Sequence, residues 1–212
     1  MTMWVKICGL TTPDAVAAAL DARADAIGFV FAKSVRQVTP DVARRLAVPA
    51  RGRARCVAVT RHPTQQDIDD IVAIFKPDVL QTDSADLPNL RLPAQLELLP
   101  VLRGAAEGEG DDRGAGEESN TLPSRLLFEG ATSGAGVPCD WVAARRVARR
   151  TELVLAGGLN PANVAAAIAA VQPFGVDVSS GVEARPGIKS PVDIANFVRA
   201  ARELSVVYED PV

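Results

Sequence analysis

The most constraining feature of this 212-residue chain is an alternation that runs its whole length. Short apolar runs suited to β-strands are Trp4–Cys8, Ala26–Phe31, Ala54–Val59, Val79–Gln81, Leu96–Leu102, Arg125–Glu129, Leu153–Ala156 and Phe174–Val178. Most are followed by a segment with helix signals. Thr12-Pro13-Asp14 opens an Ala-rich run to Ala22, Thr39-Pro40 opens one to Leu46, Asn160-Pro161 one to Ala170, and Ser190-Pro191 one to about Leu204. Proline in the first turn after a Thr, Ser or Asn is a start signal, because its missing N–H is unpaired there in any case. Thr64–Phe75 places Ile68, Ile71, Val72 and Phe75 on one helical stripe, and Asp140–Arg149 reads as a basic helix. Strands apolar on both faces need helices over them, which implies a parallel sheet. Eight strand–helix units in a chain of this length match a compact (β/α)8 TIM barrel, in the α/β class. A doubly wound open sheet is the competing architecture, but no GxGxxG follows the first strand.

One segment interrupts the alternation. Gly104–Asn120 holds five glycines, six acidic residues and one arginine, where the helix between strands five and six should stand. Such a composition has no face to bury. It is expected to be a flexible loop, a solvated excursion or a lid, replacing that helix in a single-domain barrel over residues 1–205, with 206–212 as a C-terminal tail. The net charge of −3 excludes a strongly basic nucleic-acid binder or a polybasic membrane-surface protein. No apolar stretch is long enough to span a bilayer, and the opening MTMWVKICGL lacks a signal-peptide core. Three scattered cysteines, Cys8, Cys56 and Cys139, make neither a disulfide framework nor a metal motif, and His62 is the single histidine. These features point to reduced thiols in the cytoplasm and to no metal.

Active sites of (β/α)8 barrels lie at the C-terminal ends of the strands. That rule selects Cys8-Gly9 after strand one, Lys33, Ser34 and Arg36 after strand two, and Gln81 and Asp83 at the end of strand four. It also selects Glu129 after strand six, Gly157-Gly158 after strand seven, and Asp177, Ser179, Ser180 and Gly181 after strand eight. The two small-residue loops after the last two strands suit phosphate, because they let backbone N–H groups approach an anion; tight turns would use the same residues. Cys8 is a candidate base or nucleophile, or else a buried core thiol. Glu129 could donate a proton. Arg36 could grip a carboxylate with its two-pronged guanidinium, or simply be solvated. Cys56, Cys139 and the loop residue His62 read as structural.

The blocks VKICGL (Val5–Leu10), DAIGFVF (Asp25–Phe31), LVLAGGLNPAN (Leu153–Asn163) and VDVSSGVEARP (Val176–Pro186) occur in order along nearly the whole chain. Together they resemble the phosphoribosylanthranilate isomerase family of tryptophan biosynthesis. The resemblance implies an aldose–ketose (intramolecular oxidoreductase) isomerisation of one phosphorylated small molecule. N-(5′-phosphoribosyl)anthranilate becomes 1-(o-carboxyphenylamino)-1-deoxyribulose 5-phosphate by an Amadori rearrangement, using general acid–base catalysis and no cofactor. The expected assembly is a monomer or homodimer, between which the sequence does not choose. Residue by residue, the resemblance makes Cys8 the general base and places Arg36 at the anthranilate carboxylate. Gln81 and Asp177 become substrate contacts, and Gly157, Gly158, Ser180 and Gly181 the phosphate loops.

The chain departs from the family pattern at three places. Glu129 stands where the family's acid is an Asp, one methylene shorter. The family's Q-L-H-G reads Gln81-Thr82-Asp83-Ser84, so Asp83 takes the histidine's place and puts a negative charge where it would discourage a thiolate at Cys8. The glycine-rich stretch after the acid is reduced to Ser133-Gly134-Ala135-Gly136. The alternative these departures raise is a phosphosugar-binding barrel with lost or altered activity.

Overall fold

The computed structural model describes residues 2–104, 122–130 and 139–203. Eight parallel strands, β1 (Trp4–Cys8), β2 (Ala26–Val30), β3 (Arg55–Val59), β4 (Val79–Asp83), β5 (Glu97–Gly104), β6 (Arg125–Gly130), β7 (Glu152–Leu155) and β8 (Gly175–Val178), form a closed barrel in sequence order. Closure is made by β1 against β8, with Lys6 opposite Asp177. That pairing excludes the open doubly wound sheet, whose first and last strands never meet.

Trp4–Cys8 is as expected from hydropathy, and the limits of the other seven strands shift by at most two residues. Polar residues at strand ends, such as Thr82-Asp83 and Arg103-Gly104, still hydrogen-bond in the ladder although they are not apolar. Gly104, expected to start the acidic loop, therefore ends β5; the rest of that loop, the Ser133–Gly136 stretch and the 206–212 tail lie outside the described residues.

Helices α1 (Pro13–Asp21), α2 (Pro40–Leu46), α3 (Gln65–Asp70), α4 (Trp141–Ala148), α5 (Val164–Val171) and α6 (Pro191–Glu203) cover the strands. Thr12, Thr39 and Thr64 each cap a helix, their hydroxyls accepting from backbone N–H groups of the first turn. Two helix limits differ from the sequence reading by more than two residues. After α3 the chain widens into one π turn, Ile71–Phe75, closed by Lys76 in the left-handed region. The helix expected from Asn160 begins at Val164 instead. The Asn160 side chain accepts from the N–H groups of Ala162 and Asn163, which holds Pro161–Asn163 in a turn.

Alternation along each strand builds two cores. Outward residues such as Val5, Ile7, Phe29, Leu126, Leu153 and Val176 pack under the helices. Inward residues Ala26, Val57, Val79, Leu99, Val101, Leu127, Val154 and Ala156 fill the barrel. The inward positions on β1 are thus Trp4, Lys6 and Cys8. Trp4 closes the N-terminal end against Phe174, and Cys8 faces the C-terminal mouth.

Candidate active site

One cavity opens at the C-terminal mouth of the barrel. Cys8, Arg36, Gln81, Glu129, Gly157, Gly158, Asp177 and Ser180 all line it. Of the residues expected at the site, Gly9, Asp83 and Gly181 stay off its wall. A side chain at Gly181 would strike the Leu159 carbonyl oxygen, 1.9 Å from where a Cβ would lie, so Gly181 allows the loops after β7 and β8 to interlock. Gly157 and Gly158 take φ of 91° and 66°, in the left-handed region. Asn163 Nδ2 donates to the Gly158 carbonyl at 2.8 Å, and Asn163 Oδ1 accepts from the Asn160 N–H at 2.8 Å. The two asparagines of the GLNPAN block therefore fix the loop after β7.

Cys8 is buried beside two lysines. Lys6, inward and fully buried one pleat below it, donates to Asp177 Oδ1 at 2.8 Å. Gly28 on the neighbouring β2 makes room for this stack, since a Cβ there would stand 3.0 Å from Cys8 Sγ and 3.2 Å from Lys6 Cε. Burial, the largest single influence, would drive the proton off Lys6, but the charges of Asp177 and Cys8 and the hydrogen bonds to them together outweigh it, and the ammonium is held above its ordinary range. Burial likewise pushes the Cys8 thiol up, with Asp177 adding to the push and Lys6 and Lys189 pulling against it. The carboxylate that bears on Cys8 is thus Asp177. Asp83, expected to discourage the thiolate, is instead paired with Arg103, its Oδ1 accepting from Nη2 at 2.6 Å.

Arg36 is not a solvated surface residue. Its Nε and Nη2 donate to the two oxygens of Glu183, at 2.7 and 2.9 Å. Glu183 also accepts from Lys189 Nζ at 2.9 Å and from the Gly187 N–H at 3.1 Å. Burial opposes ionisation of Glu183, yet these donors, Arg36 foremost, hold its carboxyl down at about 2. The pair leaves three of the five guanidinium N–H donors for a ligand. Gln81 is buried on the cavity wall, and its Oε1 has no hydrogen-bond partner. A buried acceptor without a partner is costly unless a ligand supplies one.

Sequence reasoning missed Lys6, Arg103, Glu183 and Lys189. Lys6 carried a signal: a lysine in an otherwise apolar strand, two residues before Cys8 and therefore on its face. The others depend on which strand ends meet. His62, read as inert, sits in the turn after β3 with Nδ1 2.9 Å from Asp86 and lies off this cavity. Among the described residues His62, Asp83 and Asp86 form a cluster of metal-ligand type. Arg103 on Asp83 and Thr82 on Asp86 already occupy it.

Residues 5–200 match the family described as N-(5′-phosphoribosyl)anthranilate (PRA) isomerase. The chain belongs to this family. The N-(5′-phosphoribosyl)anthranilate isomerase of Rhizobium rhizogenes is 38% identical over 208 residues, 94% of each chain, and that of Brucella canis 38% identical over 212 residues, 96% of each. Among solved structures, a phosphoribosyl anthranilate isomerase in complex with reduced 1-(o-carboxyphenylamino)-1-deoxyribulose 5-phosphate superimposes with a TM-score of 0.74 at 30% identity. That match covers 94% of this chain and 98% of the other. Monomers generated from the dimeric Thermotoga maritima enzyme superimpose at 0.77 and 31% identity, over 94% and 98% of the chains.

Proposed function

We propose that this chain is an N-(5′-phosphoribosyl)anthranilate isomerase acting by general acid–base catalysis, with Glu129 as acid and Cys8 as base. The observation that carries the reading is the convergence of Cys8, Glu129, Arg36 and the Gly157-Gly158 loop on one cavity, in a chain whose match to the isomerase family runs over residues 5–200. Protonation of the ribose ring oxygen by Glu129 breaks its bond to C1′, and the anilino nitrogen's lone pair forms the C1′=N double bond. Cys8 as thiolate then removes the C2′ proton. The freed electron pair forms C1′=C2′ and neutralises the iminium to an enolamine, which tautomerises to the 2′-ketone. Atoms are conserved and C1′ is reduced as C2′ is oxidised, so the step needs no external oxidant or reductant.

The supporting groups have matching chemistry. The Gly157-Gly158 turn and Ser180 offer donors for the phosphate. The three unused donors of Arg36 suit the anthranilate carboxylate. Gln81 supplies a buried amide and Asp177 a fixed carboxylate for sugar hydroxyls. Lys6 and Lys189 oppose the burial of Cys8, which favours the thiolate the base needs. A cytoplasmic setting belongs to the same reading, and the three buried, unpaired cysteines support it.

The test generates the substrate in situ and follows loss of anthranilate-type fluorescence with wild type, Cys8→Ser and Glu129→Ala. Rapid loss in wild type, abolished by both substitutions, is the expected result. Folded wild-type protein that does not exceed the uncatalysed rate overturns the reading and leaves a barrel that only binds phosphosugars.

A further inference from the structure

The two departures from the family pattern near the acid, Glu129 and Asp83, are not independent. They meet on one residue. Arg103 lies on β5, between β4 and β6, in register with Glu129. Its Nη1 donates to Glu129 Oε1 and its Nη2 to Asp83 Oδ1. All three side chains are largely sheltered, and both Arg103 and Glu129 line the cavity, while Asp83 stands behind them. We infer that Arg103 is a positioning residue for Glu129, anchored by Asp83, and that this clamp lets a glutamate do the work the family gives to an aspartate.

The physical need is specific. Glutamate has one more rotatable bond than aspartate, so its carboxyl sweeps a wider volume unless something holds it. A displacement of about 1 Å at a reacting group can cost on the order of 100-fold in rate. A guanidinium supplies two donors in a fixed plane, so one prong on Glu129 is oriented by the other on Asp83. Lysine, a single point charge, cannot reproduce the fork.

This inference rests on Glu129 being the acid, and a double-mutant cycle separates the two claims. kcat and KM are measured for wild type, Arg103→Met, Arg103→Lys, Glu129→Gln, and each Arg103 variant combined with Glu129→Gln. Arg103→Met is expected to lower kcat roughly 10- to 100-fold with KM changed less than about threefold. Arg103→Lys should recover part of that loss. In the Glu129→Gln background, either Arg103 change should cost less than about twofold further. Equal fold-losses with Glu129 intact and in the Glu129→Gln background, or a loss confined to KM, overturn the inference. If Arg103→Met fails to fold, the same cycle is read on Arg103→Lys alone. No effect of Glu129→Gln in an active enzyme fails the acid assignment instead, and an inactive wild type fails the functional reading.

Discussion

The two ends of the barrel are built from the same materials and put them to opposite uses. At the N-terminal end Arg55, Glu97, Arg125 and Glu152 form a ladder of ion pairs, Arg55 to Glu97 at 2.5 Å, Arg125 to Glu97 at 3.3 Å and Arg125 to Glu152 at 2.7 Å. Its charges satisfy one another across neighbouring strands, solvent reaches them, and Arg125 also lies 4.2 Å over the Phe174 ring. At the C-terminal end the pairs Lys6–Asp177, Arg36–Glu183 and Arg103–Glu129 are more sheltered, and each places at least one member on the cavity wall. Exposed pairs contribute little to stability, while buried ones are costly to break. The bottom ladder finishes the fold; the top pairs hold charges where a ligand can meet them.

Four substitutions test that contrast, and the largest effect belongs to the top. Cys8→Ser should lower kcat by about 10²- to 10⁴-fold, the usual worth of a general base, in the fluorescence assay. Its thermal midpoint should stay near wild type, since one small buried side chain replaces another. A serine enzyme with near-normal turnover would remove Cys8 from the chemistry. Lys6→Met leaves Asp177 buried without its cation, and urea unfolding should show a loss of about 3–5 kcal/mol. A change under about 1 kcal/mol would mean that the top pair is as weak as the bottom ones.

Acid stability sharpens the same comparison. Glu183 has a folded-state value of about 2 against an ordinary 4.5, so its stabilising contribution is present above 4.5 and is lost as pH falls through that window. Between those pH values wild type should lose stability more steeply than Glu183→Gln, which starts lower and stays flatter. Parallel curves would contradict the clamp of Arg36 and Lys189 on Glu183. The smallest effect is expected at the bottom. Arg125→Met should cost about 1–2 kcal/mol from its ion pairs and ring contact, with kcat/KM within a factor of about two of wild type. A larger drop in activity would show that the two ends are coupled.

Much of the fold was legible because its signals are local. Apolar runs located every strand, Thr12 and Thr39 announced their helices through hydrogen bonds that span three residues, and α3 was announced by the apolar stripe that begins at Ile68. Residues of the candidate site were legible where the rule of strand ends applies, which is why Cys8, Gln81, Glu129 and Asp177 can be placed at the barrel mouth from sequence and do line its cavity. The partners were not. Arg36 meets Glu183 across 147 positions and Arg103 meets Asp83 across 20. Such encounters depend on barrel closure and strand register, which no short window contains. Lys6 and Asp177 were within reach: a barrel closing β1 on β8, with alternate residues inward, brings those two face to face.

The Lys6–Asp177 pair also bears on how the polypeptide comes off the ribosome. The two groups are 171 positions apart, so the lysine emerges near the start of synthesis and its counter-charge near the end. Until β8 arrives, a partial barrel that closed would have to bury the ammonium without its counter-charge or strip its proton, and either costs free energy that the open chain does not spend. A buried charge that waits for its mate thus works as a completeness check, admitting the finished barrel and penalising its truncated forms.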